Sequence, residues 1–457
     1  MAFREFIFPT WIRLTNVSRR SRRRSSDRGR LMQTGTFICG AVGLDTDLTY
    51  VYQLFALMVC ILISARISLR FQIPEVSVRR QLPRYATAGE PFEYYINIVN
   101  EGSRVERDLS VMDNPEVVPP TFEEFRRSRE PGEETRNAYD RWIGFHRFMW
   151  LQRLKTGINI KTARAPDVEL KSTAQARMEA TPLRRGIVRI LSTTVMHPDP
   201  LGLNYGIIEF YNPGHLTVLP RRYPVSRKFS FAGGRHFQPG GVNSTWSIGE
   251  SDEFVSLRDY RDGDPIRKIH WASSARRDKP VVKEFQDEFF VRQALVVDSL
   301  PQDPEIYEEV ISVAASLLTA MENNDGLMDL CILADGPQVI TAGRGFSQTS
   351  QQLEALATLD QSTDTREQED LIEMLGQRAR LLSGCVFVFA GMDEQRQRLL
   401  EAVEQRGVQT AVFVVTAATP PTDGKETGRV DANGLSTLRS DFHQLTLGQV
   451  AEDLAAL

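Results

Sequence analysis

The densest set of chemically capable side chains lies between residues 253 and 285, in EFVSLRDYRDGDPIRKIHWASSARRDKPVVKEF. Asp264, His270 and Ser274 supply the residue types of an activated nucleophile, in which a carboxylate orients an imidazole and the imidazole takes a hydroxyl proton. Local physics favours a structural use instead. Asp262-Gly263 makes a tight turn, Asp264 suits an N-cap and Pro265 the first helical position. His270 and Ser274 are four residues apart, which makes them neighbours on any helix. The expected helix carries Ile266, Ile269, His270 and Ser273 on one face and Arg267, Trp271 and Ser274 on another; Pro280 ends it and VVKEF returns as a strand. Arg258, Arg267, His270 and Trp271 are expected to form a packed polar cluster joining two domains. The reading is non-enzymatic; the alternative is a metal-dependent hydrolase using the His/Asp/Ser cluster.

No P-loop, GxGxxG cradle or HExxH occurs where its context would require it. The four cysteines form neither a CxxC knuckle nor a disulfide framework, so reduced structural thiols are expected. A net charge of -4 gives no overall field for nucleic acid, and none is expected as a partner. With 41% hydrophobic and 25% charged residues the chain is neither a disordered polymer nor a polytopic membrane protein.

The elements that must position the cluster follow from periodicity. After residue 290, RQALVVDS (292–299), MDLCILAD (328–335), GCVFVFAG (384–391) and VQTAVFVVT (408–416) read as buried parallel strands. Helices are expected near 348–358, 366–382 and 393–406, and Ile306, Val310, Val313, Leu317 and Met321 recur at helical spacing. A doubly wound α/β sheet satisfies this pattern. Between 72 and 225 the strands are short and alternating, as in FEYYINIVN (92–100), and predict a β-sandwich of immunoglobulin type. RGIVRILSTTVMHPDPLG (185–202) reads as two short strands broken at His197-Pro198, and GHLTVLP (214–220) as another. The dense mixed charge of 121–142 reads as a solvated flap, and 141–154 as a helix on the sandwich edge.

YVYQLFALMVCILISA (50–65) is uncharged and fit to span a bilayer, while MQTGTFICGAVGL (32–44) is shorter than the ~20 residues a crossing needs. Asp45 and Asp47 between them suit a water interface, so a short transmembrane hairpin is expected. Nine arginines in residues 1–30 precede it (Arg4, Arg13, Arg19, Arg20, Arg22, Arg23, Arg24, Arg28, Arg30), and Arg66, Arg70, Arg79 and Arg80 follow. Positive flanks put both ends in the cytoplasm, at the inner (cell) membrane; the rival topology has one span and an extracytoplasmic adhesion module. The Arg-rich tail and the hairpin would contact acidic lipids.

The signature stretch resembles that of the domain-of-unknown-function 58 family. The resemblance rests on Arg258, Tyr260, Gly263, Asp264, Arg267, Ile269, His270, Trp271, Ala275, Arg276, Lys283, Glu284 and Phe285, and is accompanied by RRQLPRYATAGEPF (79–92), the RG at 185, DPLGL (199–203) and the VLP ending at 220. Ala272 departs from it, where the family commonly has lysine. The resemblance implies a bacterial-type membrane protein whose von Willebrand factor A-like domain faces the cytoplasm and cooperates with a MoxR-type AAA+ ATPase. Such domains often hold Mg²⁺ on an Asp-x-Ser-x-Ser loop; here the loop is Asp298-Ser299-Leu300-Pro301-Gln302, so only a degenerate site of Asp298 and Asp393 is expected, with no cofactor.

The combined expectation is an α+β multidomain chain. A basic cytoplasmic tail (1–30) and transmembrane hairpin (31–70) precede a β-sandwich (71–225) carrying a charged insertion (113–166), a signature junction (226–290) and the von Willebrand factor A-like domain (291–457). Its function would be that of a protein-protein interaction scaffold assisting assembly or maturation of a client complex, with Arg258, Tyr260, Gly263, Asp264, Arg267, His270, Trp271, Lys283 and Glu284 as its interaction residues.

Overall fold

The computed structural model describes residues 7–13, 15, 24–42, 49–226, 254–277, 279–285, 291–299, 303–321, 326–333, 336–342, 346–361, 366–417 and 441–456. The Asp45/Asp47 turn, most of the arginine run and Leu300, Pro301 and Gln302 lie outside the described residues. The chain divides into two compact units, Met1–Arg221 and Arg222–Leu457.

In the first unit two helices pack on each other, α1 (Asp27–Val42) and α2 (Thr49–Ser68). Within α2, Tyr50–Ser68 is long and apolar enough to cross a membrane, with mean hydropathy 1.8. Helix α1 differs from the expected first arm of a hairpin. It starts at Asp27, carries Arg28 and Arg30 in its first turn, and at 16 residues is about 24 Å long, short of a roughly 30 Å hydrocarbon core. Its N-terminus is instead tied to the following domain: Ser26 donates from its backbone to Leu203 O at 3.0 Å, and a Cβ on Gly29 would meet the same oxygen at 1.9 Å.

Nine strands follow: β1 (Val76–Gln81), β2 (Tyr85–Thr87), β3 (Phe92–Asn100), β4 (Ser110–Pro115), β5 (Ile158–Ile160), β6 (Ala163–Arg164), β7 (Thr173–Pro182), β8 (Gly186–Pro198) and β9 (Tyr205–Leu219). They form two sheets, ordered β1-β3-β7-β5 and β2-β9-β8-β4-β6, antiparallel except where β2 runs beside β9. Alternation in β3 sends Tyr94, Ile96 and Ile98 into a core shared with Val111, Val195, Leu216 and Val218 of the facing sheet. The segment read as two short strands is one 13-residue strand, because β8 pairs with β9 throughout and bends rather than breaks. The register shift between Ile190 and Ser192 leaves Pro213 unpaired in β9, where a residue without an N–H is tolerated.

Arg80 is not a membrane-flanking charge. It lies within β1 and donates from Nε and Nη2 to the two oxygens of Asp113, at 2.8 and 2.9 Å, with both side chains buried. Tyr94 Oη and Thr193 Oγ1 complete the carboxylate's partners at 2.7 and 2.5 Å. Burial and the Asp113 charge hold the Tyr94 phenol far above its ordinary range.

The charged insertion is not a solvated flap. Of three helices, α3 (Phe122–Arg127), α4 (Ala138–Ile143) and α5 (Phe145–Thr156), the first and third bury Phe125, Phe148 and Leu151 in an apolar cluster, on which Ile143 of α4 packs. Phe8 and Trp11, from helical residues 7–13, complete it, so these residues of the expected basic tail are packed. Charged groups brace the cluster: Thr121 and Glu124 form a capping box, Lys155 pairs with Glu124, and the Arg147–Glu133 pair is itself largely buried beside Phe125.

The second unit begins with a hairpin, β10 (Phe254–Asp259) and β11 (Val281–Phe285), with α6 (Trp271–Arg277) between them. The chain continues through β12 (Val291–Val297), α7 (Pro304–Met321), β13 (Gly326–Leu333), β14 (Pro337–Ala342), α8 (Phe346–Thr358), α9 (Arg366–Arg378), β15 (Gly384–Phe389), α10 (Glu394–Glu404), β16 (Gln409–Thr416), β17 (Asp441–Thr446) and α11 (Val450–Ala456). One sheet orders them β14-β13-β12-β15-β16-β17, all parallel except β14. Ala294, Val296, Cys385, Phe387 and Val412 pack with Leu375 of α9 and Leu400 of α10. The alternate residues face the other side, where α7 lies on β12, β15 and β16, so helices cover both faces. Cys331 and Cys385 are free and buried, and burial pushes the Cys331 thiol up to about 12, where it is unreactive.

Candidate functional site

The signature segment is held by a partly buried ion pair and a short chain of hydroxyl contacts. Arg258 leaves β10 and donates from Nη1 and Nη2 to the two oxygens of Asp264, both at 2.7 Å. The Arg261 backbone N–H donates to the same carboxylate at 2.9 Å. Arg258 first, then this N–H, holds the Asp264 carboxyl down at about 2. Between them Gly263 has φ +106°, a conformation that a Cβ would strain. Tyr260 donates its backbone N–H to Pro280 O at 2.9 Å, closing the neck of the loop.

The expected single helix is two pieces. Ile266–Lys268 is one 3₁₀ turn, Ile269 bridges to Val282, and α6 starts only at Trp271. Asp264 therefore caps no helix, because Arg258 has taken its carboxylate. His270 Nδ1 meets Ser273 Oγ at 2.7 Å. Ser274 Oγ donates to His270 O at 3.0 Å and accepts from Val281 N–H at 2.9 Å. Asp264, His270 and Ser274 thus form no relay: the carboxylate ties the loop to Arg258 of β10, and the Ser274 hydroxyl ties it to Val281 of β11.

The packed cluster expected of Arg258, Arg267, His270 and Trp271 is not assembled. Arg258 and His270 are partly buried, whereas Arg267 is exposed and Trp271 is 66% exposed, with Ile266 at 69%. Lys283 sits in β11, paired in register with Leu257. Glu284 is placed in the same strand; its side chain lies outside the described residues.

At the carboxyl end of β12, beside β15, the chain order along the sheet reverses, the position where doubly wound sheets bind ligands. Asp298 lies there and accepts Ala390 N–H at 3.2 Å and Arg396 Nε at 2.6 Å. Asp393 caps α10 through Arg396 N–H at 2.8 Å, and its other oxygen accepts Arg396 Nη1 at 2.5 Å. The guanidinium of Arg396 therefore bridges the two carboxylates that would have been metal ligands. This donor set does not fit Mg²⁺, which needs converging oxygens in octahedral array rather than a resident cation. Among the described residues no three His, Cys, Asp or Glu side chains form a metal-binding group. Sequence reasoning missed Arg396; the available signal was its place three residues after a capping aspartate.

Residues 256–427 match the family model described as "Protein of unknown function DUF58". Over 142 residues the chain is 32% identical to the "Uncharacterized protein YeaD" of Bacillus subtilis, covering 31% of this chain. The chain spans about a third of that relative's length, 34%. Among solved structures it is similar to a CARDB domain from Pyrococcus furiosus, at 13% identity and TM-score 0.15, covering 31% of this chain and 89% of that one. It is also similar to a PapD-like domain of human CEP192, at 14% identity and TM-score 0.17, covering 32% and 86%. At those scores the likenesses carry no argument.

Proposed function

We propose that this chain is a membrane-anchored, non-enzymatic scaffold. Helix α2 fixes it to the cell membrane with the body in the cytoplasm, and its second unit, a von Willebrand factor A-like module, docks a MoxR-type AAA+ ATPase acting on a client complex. The observation that carries the reading is the exposure of Trp271 and Ile266. Between residues 258 and 274 the polar groups of Arg258, Asp264, His270 and Ser274 hold the loop, while Ile266, Arg267 and Trp271 face solvent. Trp and Arg are the residues in which interface energy concentrates, and a rigid loop presents them without an ordering cost. The strand order with one antiparallel edge beside five parallel strands supports the module's assignment.

Affinity capture of the detergent-solubilised full chain with a co-expressed MoxR-type ATPase, with and without nucleotide, tests it. Trp271→Ala should weaken capture by roughly thirtyfold, the loss of about 2 kcal/mol usual for a hot-spot aromatic. Capture unchanged by Trp271→Ala and Ile266→Ala sinks the docking reading. A hydrolytic activity of the pure protein that disappears in folded His270→Ala would replace it with an enzymatic one.

A further inference from the structure

A cavity of about 670 Å³ opens where the C-terminal end of α2 meets the start of β9. Arg66 and Arg70 line it from α2 and the turn after it, and Arg24 lines it from the segment preceding α1. Among the described residues no carboxylate lines it and none of the three arginines makes an ion pair. Its remaining wall is apolar in one direction: Ile63 and Ile67 belong to the last turns of the membrane-length helix, and Ile207 faces them from β9.

The rim is built rather than incidental. Asp199 accepts N–H groups from Leu201, Leu203 and Asn204 at 2.7–3.0 Å and fixes the turn that leads into β9. Ser26 Oγ donates to Gly202 O at 2.7 Å, and Ser25 bridges Asn204, which seats Arg24 against that turn. Scattered arginines would satisfy an orientation bias alone. Here three from two distant segments converge on one hollow of ligand-binding size.

We infer that this cavity binds the phosphate group of an anionic phospholipid, with the guanidiniums on the headgroup and the acyl chains lying along Ile63 and Ile67. Guanidinium suits phosphate through paired N–H donors, and the hollow lies at the C-terminal end of the membrane-length stretch of α2. The inference rests on the anchoring part of the proposed function. A free phosphate shares the headgroup's charge; the apolar wall continuous with α2 favours the lipid.

The full chain, reconstituted into phosphatidylcholine vesicles with or without phosphatidylglycerol, is first floated to read anchoring, then extracted in mild detergent and its retained lipid counted by native mass spectrometry. Wild type should float in both vesicles and retain phosphatidylglycerol. Arg24→Gln/Arg66→Gln/Arg70→Gln should still float but lose the anionic lipid, at roughly fivefold in affinity per arginine. Arg126→Gln/Arg127→Gln/Arg129→Gln, an equal charge change at exposed positions elsewhere, should retain it, as should Arg66→Lys/Arg70→Lys. Equal retention by the two glutamine triples overturns the inference while leaving anchoring intact. Displacement of the lipid by inorganic phosphate assigns the cavity to a soluble anion and overturns it too. Failure of wild type to float overturns both readings.

Discussion

Replacing Arg396 by Met tests the assignment of the sheet's switch point directly. The Asp298 side chain is 2% exposed and that of Arg396 9%, so the substitution leaves a carboxylate facing Asp393 without its guanidinium. Removing one partner of such a pair costs about 3–5 kcal/mol. In a unit of this size each kcal/mol moves the melting temperature by about 2–4 °C, so the transition should fall by about 6–20 °C. Scanning calorimetry of the full chain in detergent reads it, and Asp298→Asn in the same background should recover part of the loss by removing the orphaned charge. Any folded state that binds Mg²⁺ gains about 2.7 kcal/mol at a hundredfold excess over its dissociation constant. Wild type should show no such Mg²⁺-dependent rise. A rise in wild type, or an Arg396→Met transition within about 2 °C of wild type, refutes the reasoning.

Asp264 predicts an acid-sensitive signature loop. Its folded carboxyl titrates at about 2 against an ordinary 3.8, so its contribution is complete above pH 4–5 and is lost as pH falls toward 2; after solvent screening this is worth about 1–2 kcal/mol. Asp264→Asn should abolish that part of the acid dependence, read by tryptophan fluorescence between pH 5 and pH 2. Asp113→Ala, which strands buried Arg80, should destabilise the two-sheet domain by about 3–5 kcal/mol in urea. A Gly206→Ala Cβ would stand 1.9 Å from His197 Nε2, and overpacking should cost about 1–3 kcal/mol in the same assay. Among the described residues Ser299 Oγ is buried without a hydrogen-bond partner, so Ser299→Ala should leave stability unchanged or raise it.

Period-2 and period-3.6 patterns exposed the sheets and most helices: Tyr94, Ile96 and Ile98 are buried in alternation with more exposed neighbours in β3, whereas α7 is buried all round from Val310 to Leu318 and the spacing of Val310, Val313 and Leu317 marks only its most apolar stripe. The strand β14 and the terminal β17–α11 pair were not legible: PQVITA and DFHQLT are short, half-buried edge strands with no continuous apolar run. The break at Ile269 was hidden because it depends on pairing with Val282, a contact between residues on either side of α6. Charge misled most. Arg80 and Arg396 look like surface cations in one dimension, and only tertiary placement gives each a buried aspartate. The same holds for 121–156, where the charges outnumber the few aromatic residues that make its core.

The aromatic rings of Phe8 and Trp11 sit in the interior of a body whose other members lie beyond the membrane-length helix in the chain. Severing the polypeptide after that helix to obtain a soluble fragment would therefore strip two plugs from Phe125 and Phe148 and leave a sticky hollow. A fragment beginning near residue 71 should self-associate, and supplying residues 1–15 as a separate peptide should restore monodispersity.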